Sequence, residues 1–138
     1  MVSPLALAQR SAEVMWSTDA VGRSLGMVVD HVAPGEARVS MSVREDMVNG
    51  WSSCHGGLIA TLADTAFALA CNSHGTVTVA SSFQIDFLEP AVLGDLLVAD
   101  AREVARRTRS GVYDVTVRRG ETVIAEFRGR SRSLGRAI

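Results

Sequence analysis

Lysine is absent from this 138-residue sequence: all fourteen basic residues are arginines. Cysteine is scarce, with only Cys54 and Cys71. Two thiols do not make a disulfide framework, and no metal-ligand spacing surrounds them. Aromatic residues make up 5% of the chain, too few for the base-stacking platforms of a nucleic-acid binder. The N-terminal stretch contains Gln9, Arg10, Ser11 and Glu13, so it is not the apolar segment of a signal peptide. No apolar run approaches the roughly 20 residues that span a bilayer. No phosphate-cradling or dinucleotide-binding glycine motif is present. These absences predict a cytoplasmic protein that needs no metal and no organic cofactor, with neither a membrane nor a nucleic acid as partner.

What is present fits one domain over residues 1–138. A hydrophobic fraction of 47% supports an ordinary buried core. The net charge of −1 hides a strong asymmetry. Residues 1–100 hold four arginines against eleven acids, and residues 101–138 hold ten against four. The C-terminal part is thus basic, as solvated strand faces or as a surface for an anionic partner.

Ser3-Pro4 is a helix-start signal, a capping hydroxyl followed by proline at the first helical position. Leu5, Ala8, Ala12, Met15 and Trp16 then recur at helical spacing, predicting a helix over about 4–17. A loop is expected over 18–25. Residues 27–32 are β-like, Pro34-Gly35 is a turn, and residues 37–43 alternate apolar with polar, which makes a hairpin. Residues 44–54 read as a polar loop. Asn49-Gly50 lies in it, but no alternating strand follows to make that pair a hairpin turn. Residues 58–72, LIATLADTAFALACN, are apolar almost all round and predict a buried central helix. Gly75 follows just beyond its end. Four strands are expected after it, over 76–88, 95–104, 112–118 and 122–131, with short connections that favour antiparallel pairing. A sheet face packed on one helix is an α+β arrangement. A curled antiparallel sheet wrapped around a long central helix is the hotdog fold.

Asp64 interrupts that apolar helix. An ionised carboxylate is almost never buried without a partner. It either shares a polar stripe with Thr61 and Thr65, contacts an arginine, or stands in a dry cleft as a general base or nucleophile. Gly56 and Gly57 precede the helix. Their amides lack intrahelical acceptors and sit at the positive end of the dipole, suited to an oxyanion or a polarised carbonyl. The same glycines also serve a tight turn. Gly56 and Asp64 are about 12 Å apart along a helix axis, so they reach one carbonyl carbon only if a second subunit supplies one of them. Asn49 can donate to that carbonyl, and His55 can orient the loop or a water. Cys54 beside His55 is not a dyad, because catalytic pairing is spatial.

The stretch NGWSSCHGGLIATLADTAFALACNSHG over 49–75 resembles the signature of PaaI-type hotdog thioesterases. The likeness continues through ASSFQIDFLEP, SGVYD and FRGRS and covers essentially the whole chain. It implies a homotetramer built as a dimer of dimers that hydrolyses acyl-coenzyme A without metal or cofactor. By that likeness Asn49 and the Gly56 amide polarise the thioester carbonyl and His55 supports their loop. Asp64 of the facing subunit activates water or attacks directly. Gly57, Thr65, Ser81 and Ser82 line the substrate. Arginines of the C-terminal third contact the coenzyme A phosphates. Aryl and arylacetyl thioesters, phenylacetyl and hydroxyphenylacetyl above all, are the expected substrates. A broad medium-chain thioesterase, a non-catalytic acyl-coenzyme A binding module and a hydratase are the alternatives.

Overall fold

The computed structural model describes residues 1–138. Helix α1 spans Pro4–Ser17, and the Ser3 hydroxyl accepts from the Ala6 amide at its start. Ala8 and Ala12 are buried while Leu5 stays exposed. The expected loop that follows contains a short helix, α2 (Ala20–Ser24), capped by Asp19. A tertiary contact holds it: Arg23 donates to the Trp16 carbonyl, and Gly22 has no room for a side chain against the Trp16 ring.

Strands β1 (Val28–Ala33) and β2 (Glu36–Ser42) form the expected hairpin. A turn of 3-10 helix at Glu45–Met47 breaks the polar loop. Helix α3 runs over Gly56–Cys71, starting two residues before the apolar run. Then come β3 (Thr76–Phe87), β4 (Leu96–Arg106), β5 (Ser110–Arg119) and β6 (Thr122–Ala137). The last strand outruns its expected end because its final residues pair with the start of β3, Thr76 opposite Ala137.

The six strands form one antiparallel sheet in the order β1-β2-β4-β5-β6-β3. One face is apolar by alternation. Val39, Ala99, Val117 and Ala125 form one cross-strand row, and Ala37, Ala101, Val115 and Phe127 the next. All eight are buried. Their small members let α3 lie close, with Leu62, Ala63, Ala66 and Ala70 facing the sheet. This is the hotdog arrangement of an α+β chain.

Phe67 anchors the contact. It is fully buried, with ring centroids 5.6 Å from Tyr113 and 5.7 Å from Phe127. A Cβ at Gly129 would stand 2.9 Å from the Phe67 ring. The ring has nowhere to go, so Gly129→Ala is expected to destabilise the fold by about 1–3 kcal/mol, read as a lower thermal midpoint.

The far end of α3 is tied down by polar groups. Ser73 Oγ accepts from the Gly35 amide at 2.8 Å. Tyr113 donates to Glu103 Oε1 at 2.7 Å, and His74 Nε2 lies 2.7 Å from the same oxygen. Burial pushes the Glu103 carboxyl up, but the hydrogen bonds from Tyr113 and His74, with the charges of His74 and Arg106, outweigh it and hold it below its ordinary 4.5. A carboxylate depressed in the folded state stabilises it above the unfolded value, and that stability is lost as pH falls through the folded value. Glu103→Gln is therefore expected to flatten the loss of stability below about pH 4.5, followed by denaturant titration across pH.

The two sheet edges differ. Edge strand β1 is short, bulged, charged at Asp30, and packed beside α1. Edge strand β3 runs twelve residues and leaves Val79, Phe83 and Phe87 exposed. A long apolar edge of this kind is a pairing surface.

Candidate active site

The loop before α3 is stitched to the connection between β3 and β4. Cys54 donates to the Ala91 carbonyl at 2.7 Å, His55 donates to the Met47 carbonyl at 2.8 Å, and Ser53 bridges Val92. Within this loop the Asn49 side chain has a fixed sense. Its Oδ1 accepts the Trp51 amide at 2.9 Å and the Ser53 amide at 3.1 Å. Two backbone donors require an oxygen there, so the amide nitrogen points away and keeps both its protons for another acceptor.

His55 caps α3 with its backbone. Its carbonyl accepts from Leu58 and Ile59, while its ring is exposed and caps nothing. The amides of Gly56 and Gly57 find no acceptor in the chain. The glycines differ in what they require. A Cβ at Gly56 would meet the Phe87 ring at 3.0 Å, whereas a Cβ at Gly57 would meet nothing. Packing accounts for the first glycine. No such packing constrains the second.

Asp64 lies two turns down the same helix face. It is half-buried, and burial alone raises its carboxyl above the ordinary 3.8, with no hydrogen bond or charge offsetting it. Thr61 and Thr65 are half-buried like Asp64 and form a polar stripe with it, but they give their hydroxyls to the helix carbonyls of Gly57 and Thr61, and no arginine pairs with Asp64. Gly57, Asp64 and Cys71 are spaced by seven residues and so share one stripe. Cys71 borders a small polar cavity with Thr76 and Thr78, and Gly56 meets Phe87. Helix α3 and β3 therefore run side by side in opposite directions.

The cysteines do not join this chemistry. Cys54 is buried and its thiol is pushed up by burial; Cys71 is pushed up to about 12, by burial first and then by the Asp64 charge. Ser81 sits in a β-bulge and donates to the Arg130 carbonyl at 3.1 Å, with Arg107 lining the same cleft. Ser82 pairs opposite Arg130. The single chain thus brings Asn49, His55, Gly56 and Gly57 together and holds Asp64 and Thr65 two turns away. The largest cleft, about 620 Å³ between α1 and β1, holds none of these groups. Chemistry, not volume, marks the site.

A thioesterase superfamily model matches residues 52–126, more than half the chain and the whole of α3. The chain belongs to the thioesterase superfamily. It is 43% identical over 132 residues to the acyl-coenzyme A thioesterase PaaI of Escherichia coli strain K12, covering 95% of this chain and 94% of that one. The structure of the E. coli PaaI protein, from the phenylacetic acid degradation operon, superposes with a TM-score of 0.96 at 42% identity, covering 99% of each chain. A mutant of the phenylacetic acid degradation protein PaaI from Thermus thermophilus gives 0.82 at 39% identity, covering 84% of this chain and 100% of that one. The likeness to PaaI-type hotdog thioesterases expected from the sequence is borne out, and with it the fold. No helix is long and apolar enough to cross a membrane.

Proposed function

We propose that this chain hydrolyses aryl- and arylacetyl-coenzyme A thioesters to the free acid and coenzyme A, at sites shared between two subunits. Thioester hydrolysis is the chemistry of its family, and the names of its relatives support an acyl-coenzyme A substrate of phenylacetyl type. The observation that carries the reading is Asp64, a half-buried carboxylate with no partner in its own chain.

The Gly57–Asp64 stripe explains why two subunits are needed. The two residues are about 10 Å apart along the axis. A two-fold axis midway between them sets Asp64 of each helix against Gly57 of the other and makes two equal sites. The open β3 edge, with exposed Val79 and Phe83, supplies the pairing surface for that dimer. Two such dimers form the proposed homotetramer, in the cytoplasm.

At each site the Gly56 and Gly57 amides and the free Asn49 amide protons hold the thioester oxygen and stabilise it as charge develops. The partner's Asp64 takes a proton from water as the water attacks, or attacks the carbonyl itself. His55 and Thr65 hold the flanking loop and helix turn. Arg106, Arg107 and Arg130 surround the β4–β5 turn with Ser81 and Ser82 nearby, a surface that suits coenzyme A phosphates. The base must be ionised, so kcat/KM falls as pH drops through the raised Asp64 value. The midpoint of that acid limb is expected above 3.8. Thiol release from a panel of aryl, arylacetyl and straight-chain acyl-coenzyme A substrates tests the function. Tight binding without release would make the chain a binding module instead.

A further inference from the structure

Beside Gly56 lies an apolar cavity of about 330 Å³, walled by Ile59, Phe87, Leu88 and Ala91 with Glu89 at its rim. Phe87 is its most distinctive wall. The residue is 51% exposed, yet its ring is fixed end-on against Gly56, with Cζ 3.0 Å from where a Cβ would stand there. Leu88, 57% exposed, continues the apolar surface outward. Exposed aromatic surface next to free backbone donors is what a largely apolar ligand pocket presents before it is filled.

We propose that this cavity receives the acyl group, and that the Phe87 ring is the surface that selects aromatic acyl groups over straight-chain ones. The assignment rests on the thioesterase reading and adds to it a direction and a determinant. A carbonyl held at the Gly56 and Gly57 amides sends two substituents away from itself. The sulfur leads to a long phosphorylated chain, which needs an open and basic path. That path exists at the arginine-bordered clefts around the β4–β5 turn and not here. The acyl group is the substituent that gains from leaving water, and the apolar cavity is one residue from the amides. A flat ring laid on Phe87 gains an aromatic contact that an alkyl chain does not. The Glu89 carboxylate at the rim disfavours acyl groups that end in an anion.

The test uses the purified full-length chain with phenylacetyl- and hexanoyl-coenzyme A. It measures kcat/KM for each by thiol release and the inhibition constant of free coenzyme A. Phe87→Leu is expected to lower the phenylacetyl-to-hexanoyl ratio by about tenfold, with coenzyme A inhibition unchanged. Leu88→Ala, which removes apolar wall but no aromatic face, is expected to weaken both substrates alike. Should Phe87→Leu fail to assemble, Phe87→Met carries the same expectation at closer volume. The assignment is overturned if Phe87→Leu lowers both substrates in parallel, or leaves the ratio unchanged. It is also overturned if coenzyme A inhibition weakens by the same factor, since the cavity would then hold the pantetheine arm. A wild-type chain that releases thiol from neither substrate would overturn the thioesterase reading and this assignment together. Parallel losses in an active enzyme overturn the assignment alone.

Discussion

Asp64→Asn is expected to lower kcat by about a thousandfold while making the protein no less stable, and more stable at neutral pH. The two halves of this result come from one physical fact. Burial raises the Asp64 carboxyl, and nothing in the chain repays the ionised form with a hydrogen bond or an opposite charge. A carboxylate whose folded pKa lies above its unfolded one favours folding only while protonated. That contribution is present below the unfolded value and is lost as pH rises through the folded value. At neutral pH the ionised group therefore opposes folding. A neutral amide of the same shape removes the charge and keeps the volume. A structural carboxylate behaves in the opposite way, because breaking its pairing lowers stability. Thermal midpoints of wild type and Asp64→Asn measured from acid to neutral pH should converge in acid, separate as pH rises from the unfolded carboxyl value through the raised folded one, and stay apart at neutral pH, with the variant higher. A variant that is less stable at neutral pH, or that retains hydrolysis, would remove Asp64 from the proposed mechanism.

Much of this was readable from local sequence chemistry. Ser3-Pro4 and the helical spacing after it set both ends of α1, and β3 ends at Phe87, one residue inside its expected bound. The apolar run carrying Asp64 identified the central helix and its misplaced charge without any neighbour in view. The misses share a cause, which is dependence on particular contacts that leave no periodic signal in the sequence. Helix α2 has five residues, too few for a periodic signal, and exists because Trp16 covers Gly22 and holds Arg23. The end of β6, rich in arginine and serine with Gly135 at φ 75°, shows no alternation and is a strand only because β3 offers it a partner. The sense of the Asn49 amide depends on two loop amides that no pattern announces. The strand expected over 76–88 is β3, yet Phe83 and Phe87 remain exposed on it. A strand's sequence says which residues share a face and not whether anything covers that face.

The second large effect concerns Asn49. Asn49→Asp keeps Oδ1 for the Trp51 and Ser53 amides, so the loop is preserved. It replaces the two free amide protons with negative charge facing the developing oxyanion, and hydrolysis is expected to fall by about 10²–10³-fold. Asp64→Asn and Asn49→Asp should each be inactive alone. Unfolded together and refolded as a mixture, they should regain about a quarter of wild-type activity, because half the dimers are hybrids and each hybrid holds one intact site of two. The intact site joins Asn49 and Gly56 from the Asp64→Asn chain to Asp64 from its partner. The other joins both defects. If Asn49, Gly56 and Asp64 act within one chain, every site in the mixture carries a defect and no activity returns. The refolded mixture therefore measures directly whether α3 meets its copy along the Gly57–Asp64 stripe. It does so without depending on which acyl group the enzyme prefers.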